Sequence, residues 1–98
     1  MAFIFTMEFP GVGQEKYDAV MKELGLDKKG AKWPKGILSH VAGPTSGGWC
    51  VVDVWESEAA FGKFQEKQLK PVFPKVGGMP EPKVTAAKVY FSYPANKK

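Results

Sequence analysis

Apolar residues fall along this chain in two rhythms that alternate, and the alternation predicts the elements. Phe3, Ile4, Phe5, Thr6 and Phe9 are β-favouring residues, so residues 2–9 form a first strand, stopped by Pro10-Gly11-Val12-Gly13. Tyr17, Val20, Met21 and Leu24 then recur at helical spacing with polar residues between them. The spacing predicts a helix over 14–24, with Gly25 placed just past its end. A loop rich in Lys and Gly follows, closing on Trp33-Pro34. Residues 36–42 form a second strand and 49–56 a third, joined as an antiparallel hairpin through the turn residues Gly43-Pro44-Thr45-Ser46-Gly47-Gly48. Ser57 is placed to cap a second helix, which carries Ala60, Phe61, Phe64 and Leu69 towards the core. Pro71 either ends that helix or opens a further turn, because proline is tolerated only near a helix start. Pro74, Gly77, Gly78, Pro80 and Pro82 predict a loop, and 84–93 a last strand.

The order is βαββαβ, for which two helices on one face of a four-stranded antiparallel sheet is the compact solution. The expected class is therefore α+β, ferredoxin-like, with residues 1–98 as a single domain. Strand three places Cys50, Val52 and Val54 on one face and Trp49, Val51, Asp53 and Trp55 on the other. Two helices cover one face only, and we expect Cys50 to point towards them as a small core residue. The opposite face then meets a second copy of the chain, giving a homodimer. Ninety-eight residues bury only about two-thirds of their unfolded surface, so association would add core that one copy lacks.

The formal charge of +4 suggests an anionic partner, but its make-up argues otherwise. All 14 basic residues are lysine, without the planar fork that reads phosphate and guanine bidentately. Lys28, Lys29, Lys32 and Lys35 share one loop, and Lys97 and Lys98 end the chain, as expected of a solvated surface. No nucleic-acid partner is expected. Cys50 is the one cysteine, which excludes an internal disulfide and a thiolate metal cage. The apolar start is broken by Glu8 and lacks a basic lead, and no run approaches a membrane span. No membrane partner is expected, and the expected compartment is the cytoplasm.

Val54-Trp55-Glu56-Ser57-Glu58-Ala59-Ala60-Phe61 resembles the strand-to-helix signature of the dimeric α+β barrel superfamily, in particular its antibiotic-biosynthesis-monooxygenase-like branch. The βαββαβ order extends the resemblance over nearly the whole chain. It implies a homodimeric barrel with a pocket between the sheet and the loops or helices of each subunit. Members include cofactor-free monooxygenases acting on phenols or quinols, haem-degrading enzymes, isomerases, lyases and proteins of no known activity, so fold is a poor guide to chemistry. The haem-degrading pattern needs an Asn on strand one, a Trp within helix two and a ligating His beyond it. Those positions hold no Asn (Thr6 lies closest), Phe64, and a residue near Pro74, so haem is not expected here.

His40 is the only histidine and can change charge near neutral pH. If the hairpin closes around Thr45-Ser46, His40 lies across from or diagonal to Asp53, on the Trp55 face. One reading makes them a catalytic pair, Asp53 orienting an imidazole that takes a proton from a phenol-like or enolisable ligand. The other makes them a half-exposed His and a structural Asp; a one-residue slip would put them on opposite faces. Trp49 and Trp55 serve either as walls for an aromatic ligand or as dimer packing. Thr6 and Tyr90 are candidate lining residues of the same face. No metal site is expected, since one His and scattered carboxylates form no ligand set, and no cofactor is expected. The functional expectation is a homodimeric barrel binding a small apolar or aromatic compound, as a cofactor-free monooxygenase or isomerase. The alternative is a non-catalytic binding or interaction module whose sheet face is only dimer core.

Overall fold

The computed structural model describes residues 2–94, so Lys97 and Lys98 lie outside the described residues. Along β1 (Phe3–Pro10), Phe5, Met7 and Phe9 are buried on one face, as period-two alternation requires. Helix α1 (Gln14–Leu24) ends at Gly25, whose φ of 75° is left-handed. There Gly25 N–H bonds the Lys22 carbonyl and Leu26 N–H the Met21 carbonyl, which closes the last turn. Strands β2 (Ile37–Thr45) and β3 (Gly48–Trp55) form the hairpin. Most of the segment expected to be loop is strand, and the connection shrinks to Ser46 and Gly47. Gly48 is required by close approach: a Cβ there would lie 2.2 Å from the Phe9 carbonyl oxygen.

Helix α2 (Glu58–Phe64) starts on Ser57, whose Oγ accepts the Ala60 N–H at 3.1 Å. The chain then widens into a π-helical segment, Gln65–Leu69, in which Lys70 N–H bonds the Gln65 carbonyl five residues back. Pro71 lacks an N–H and its ring would crowd the carbonyl four residues before it, so the wider turn lets helical geometry pass the proline. The short helix α3 (Lys70–Val72) and a 3₁₀ turn, Phe73–Val76, continue it. Pro71 thus opens a further turn, and Pro74, expected in a loop, lies in the 3₁₀ turn. The last strand, β4 (Lys83–Lys88), is shorter than the expected 84–93.

The sheet order is β2-β3-β1-β4, with the neighbouring strands antiparallel, which is the expected ferredoxin-like α+β arrangement. Which face the helices cover is the main correction. Trp49, Val51, Asp53 and Trp55 are the buried residues of β3, and they pack with Phe61, Phe64, Leu69 and Val72 beneath the helical segment. Rings decide the matter. Phe61 stacks on Phe5 at 3.9 Å and meets Trp55 edge-on at 5.9 Å, while Phe64 lies 5.4 Å from Trp55. Cys50, Val52 and Val54 take the open face, so Cys50 is half-buried there and not in the helix-covered core.

Candidate functional site

Three elements bring together the polar groups of one site. Register pairs His40 of β2 with Asp53 of β3. An irregularity between Ile37 and Ser39 makes this possible: the extra residue, Leu38, lets both Ile37 and His40 face the helices. His40 Nδ1 and Asp53 Oδ1 are 2.7 Å apart. The other carboxylate oxygen, Oδ2, accepts the Trp55 indole N–H at 3.2 Å. Asp53 is 2% exposed and Trp55 fully buried, so both oxygens are fixed in a dry setting.

Helix α1 supplies the third group. The Tyr17 hydroxyl lies 2.7 Å from His40 Nε2, and its ring stacks on Trp49 at 5.2 Å. A carboxylate oxygen can only accept, so Nδ1 carries the proton it shares with Asp53. In the neutral ring Nε2 is then the acceptor, and the Tyr17 O–H donates to it. Burial first, then the charges of Asp53 and Asp18, pushes the Tyr17 phenol above its ordinary value of 10.0. Tyr17 therefore stays a protonated donor through neutral pH.

These groups line a cavity of about 50 Å³ between the sheet and the helical segment. Its other walls are apolar, among them Met7, Phe9, Met21, Met79 and Trp33. That volume is several times the roughly 10–15 Å³ one water needs, and smaller than the roughly 150 Å³ of an apolar cavity that takes up benzene. A ring therefore enters only as wall side chains move, and unbranched methionines are suited to that. Trp33, 40% exposed, stands at the margin with its ring 5.2 Å from that of His40.

Of the residues expected at the site, His40, Asp53 and Trp49 line this cavity. Trp55 does not: it lies deeper, packed on Phe61 and Phe64, and touches the site through its bond to Asp53. Thr6 pairs with Val52 and so lies on the open face, since residues directly opposite in an antiparallel pair share a face. Tyr90 lies beyond β4 and is fully exposed. Tyr17 and Trp33 were not expected there. A signal for Tyr17 was present: it is the polar-tipped residue among the apolar positions of α1, and a buried tyrosine hydroxyl needs a partner. Lys28, Lys29, Lys32 and Lys35 are exposed. Among the described residues no cluster of three His, Cys, Asp or Glu could hold a metal, and no helix is long and apolar enough to cross a membrane.

No protein-family model matches the sequence, and no curated protein sequence matches it. Solved structures do match in shape. A candidate antibiotic biosynthesis monooxygenase of Chloroflexus aurantiacus superposes with a TM-score of 0.66 at 9% identity, covering 94% of this chain and 96% of that one. A candidate antibiotic biosynthesis monooxygenase of Deinococcus radiodurans gives 0.57 at 12% identity, covering 94% and 95%. A mutant of SnoaB, a cofactor-independent oxygenase from Streptomyces nogalater, gives 0.61 at 11% identity, covering 96% of both chains. This chain therefore shares the α+β fold of these three structures.

Proposed function

We propose that this protein binds a compact apolar or aromatic molecule in the cavity and removes a proton from it through Tyr17, His40 and Asp53. The observation that carries this reading is the unbroken chain of two 2.7 Å contacts, Tyr17–His40–Asp53, among residues that line an otherwise apolar cavity. His40 Nε2 is already engaged, so the base acts through Tyr17. The phenol takes the proton of a ligand hydroxyl or activated C–H while passing its own proton to Nε2. The resulting imidazolium is stabilised by Asp53, whose second oxygen stays fixed by Trp55. The raised Tyr17 pKa disfavours a free phenolate, so the two transfers occur together.

Deprotonation of a phenol or quinol leaves an electron-rich anion that molecular oxygen can oxidise without a cofactor; reprotonation at another atom is an isomerisation. The likeness in fold to SnoaB supports the first course. The test is oxygen uptake with methylhydroquinone, in which the quinol loses two electrons and two protons and oxygen becomes hydrogen peroxide. Deuterium exchange into an enolisable ketone covers the second course. Tyr17→Phe, His40→Ala and Asp53→Asn should each lower a protein-dependent rate roughly 10²–10⁴-fold. Unchanged rates in all three, with folding intact, would end the proton-transfer reading.

A non-catalytic binding role is the second reading, favoured by one observation: both His40 nitrogens have protein partners. It predicts saturable binding of the same compounds with no turnover.

The open face supports a homodimer. Val41 is 63% exposed, and Ile4, Val52 and Val54 are half-buried beside it without a covering layer among the described residues. A second copy seated there would take this apolar stripe out of water.

A further inference from the structure

Residues 25–36, between α1 and β2, contain neither helix nor strand. Both ends of this segment are fastened. Gly25 and Leu26 close the last turn of α1, and the Gly36 carbonyl accepts the Glu56 N–H at 2.7 Å. Gly36 is also wedged in place: its φ is 101°, and a Cβ there would lie 2.8 Å from that of Ala60. Among the described residues, the backbone hydrogen bond within 27–33 is internal, from the Ala31 N–H to the Lys28 carbonyl. The cavity is too small for a ring, so a wall must yield to admit one. Among the described residues that line it, Trp33 alone is exposed; the rest are buried or half-buried. Moving the strand residues would break sheet pairing, and moving α1 would part Tyr17 from His40. Turning the Trp33 ring outward breaks no hydrogen bond among the described residues.

We propose that Trp33 is the gate of this cavity: its ring turns outward to admit a single-ring ligand, then returns towards His40 and closes over it. The proposal rests on the cavity-binding part of the proposed function and adds the route of entry. In the closed position the Trp33 ring lies 5.2 Å from that of His40, beside a side chain that keeps 19% exposure. Segments that close over a bound ligand keep water from the reacting groups. A proton passed between Tyr17 and His40 needs that shelter, and Trp33 is the ring placed to give it.

The probe is 4-fluorophenol, its association and dissociation rates read from ¹⁹F exchange spectra for the whole protein, Trp33→Ala and Met79→Ala. Met79 is a half-buried wall residue whose truncation also enlarges the cavity, so it controls for volume. A gate obstructs traffic in both directions. Trp33→Ala should therefore raise both rates about tenfold, while Met79→Ala leaves association within about twofold. A wall that only touches the ligand would raise dissociation alone, because losing a contact leaves the entry barrier as it was. A rise in dissociation alone, no change in either rate, or an equal gain in association from Met79→Ala would overturn the gate and leave cavity binding standing. Failure of the unaltered protein to bind 4-fluorophenol would overturn cavity binding, and the gate with it. If Trp33→Ala does not fold, relaxation dispersion on the indole N–H groups of the unaltered protein decides. Exchange is expected at Trp33 and at neither Trp49 nor Trp55; a Trp33 indole without exchange would overturn the gate.

Discussion

Replacing Tyr17 by Phe removes one oxygen from the middle of the site and keeps the ring that stacks on Trp49. No cavity larger than a hydroxyl results, so the loss is that of the 2.7 Å bond to His40 Nε2. A neutral hydrogen bond contributes about 0.5–1.5 kcal/mol net. The further cost of stranding its partner is reduced here, because the His40 side chain keeps 19% exposure and water can reach it. We expect a loss of about 1 kcal/mol, or roughly 4–8 °C in Tm for a domain of this size. Thermal and urea unfolding at neutral pH would measure it. The pH dependence supplies a second arm. The folded pKa of Tyr17 is raised, so above pH 10.0 the unfolded chain gives up this proton while the folded one retains it. The folded state then binds more protons, and stability falls as pH rises. The Tyr17 contribution is whole below pH 10.0 and is lost as pH rises towards the folded value, so the gap between the parent and Tyr17→Phe should close there. A variant as stable as its parent at neutral pH, or a gap that stays constant well above pH 10.0, would refute the reasoning.

Two further outcomes test the frame around the site. Ser57→Ala removes the oxygen that accepts the Ala60 N–H and should cost about 1 kcal/mol in unfolding free energy, without altering binding in the cavity. Val52→Asp places a charge in the middle of the open face; sedimentation should show dimers for the parent and monomers for the variant. A monomeric parent at micromolar concentration would remove the dimer.

The sequence carried the elements further than it carried their sides. Helix α1 was legible to the residue, because a 3.6-residue rhythm and Gly25 agree on where it ends. The partnership of His40 with Asp53 was legible as one of two registers; the extra residue at Leu38, which keeps Ile37 and His40 on the same face opposite β3, left no mark in the pattern. Alternation sorts β3 into two sets but does not say which set the helices cover. Trp49 and Trp55 read as walls for a ligand or as dimer packing, when rings of the same chain meet both: Tyr17 stacks on Trp49, and Phe61 and Phe64 pack on Trp55. Thr6 failed for the same reason of parity, standing between Phe5 and Met7, which point inward. Tyr90 failed because β4 stops at Lys88. Tyr17 was placed correctly on its helix, but its partner is 23 residues away on a strand, a contact that only tertiary packing reveals.

The central claim is that His40 is held as an oriented base, its proton on Nδ1 towards Asp53 and its lone pair on Nε2 towards Tyr17. His40 is the only histidine, so histidine-labelled protein gives a single imidazole spin system in a long-range ¹H–¹⁵N spectrum. The account predicts that the neutral ring is the Nδ1–H tautomer, with a downfield Nδ1 proton that persists in Tyr17→Phe and is lost in Asp53→Ala. A neutral ring protonated on Nε2, or one averaging freely between the two tautomers, would contradict it.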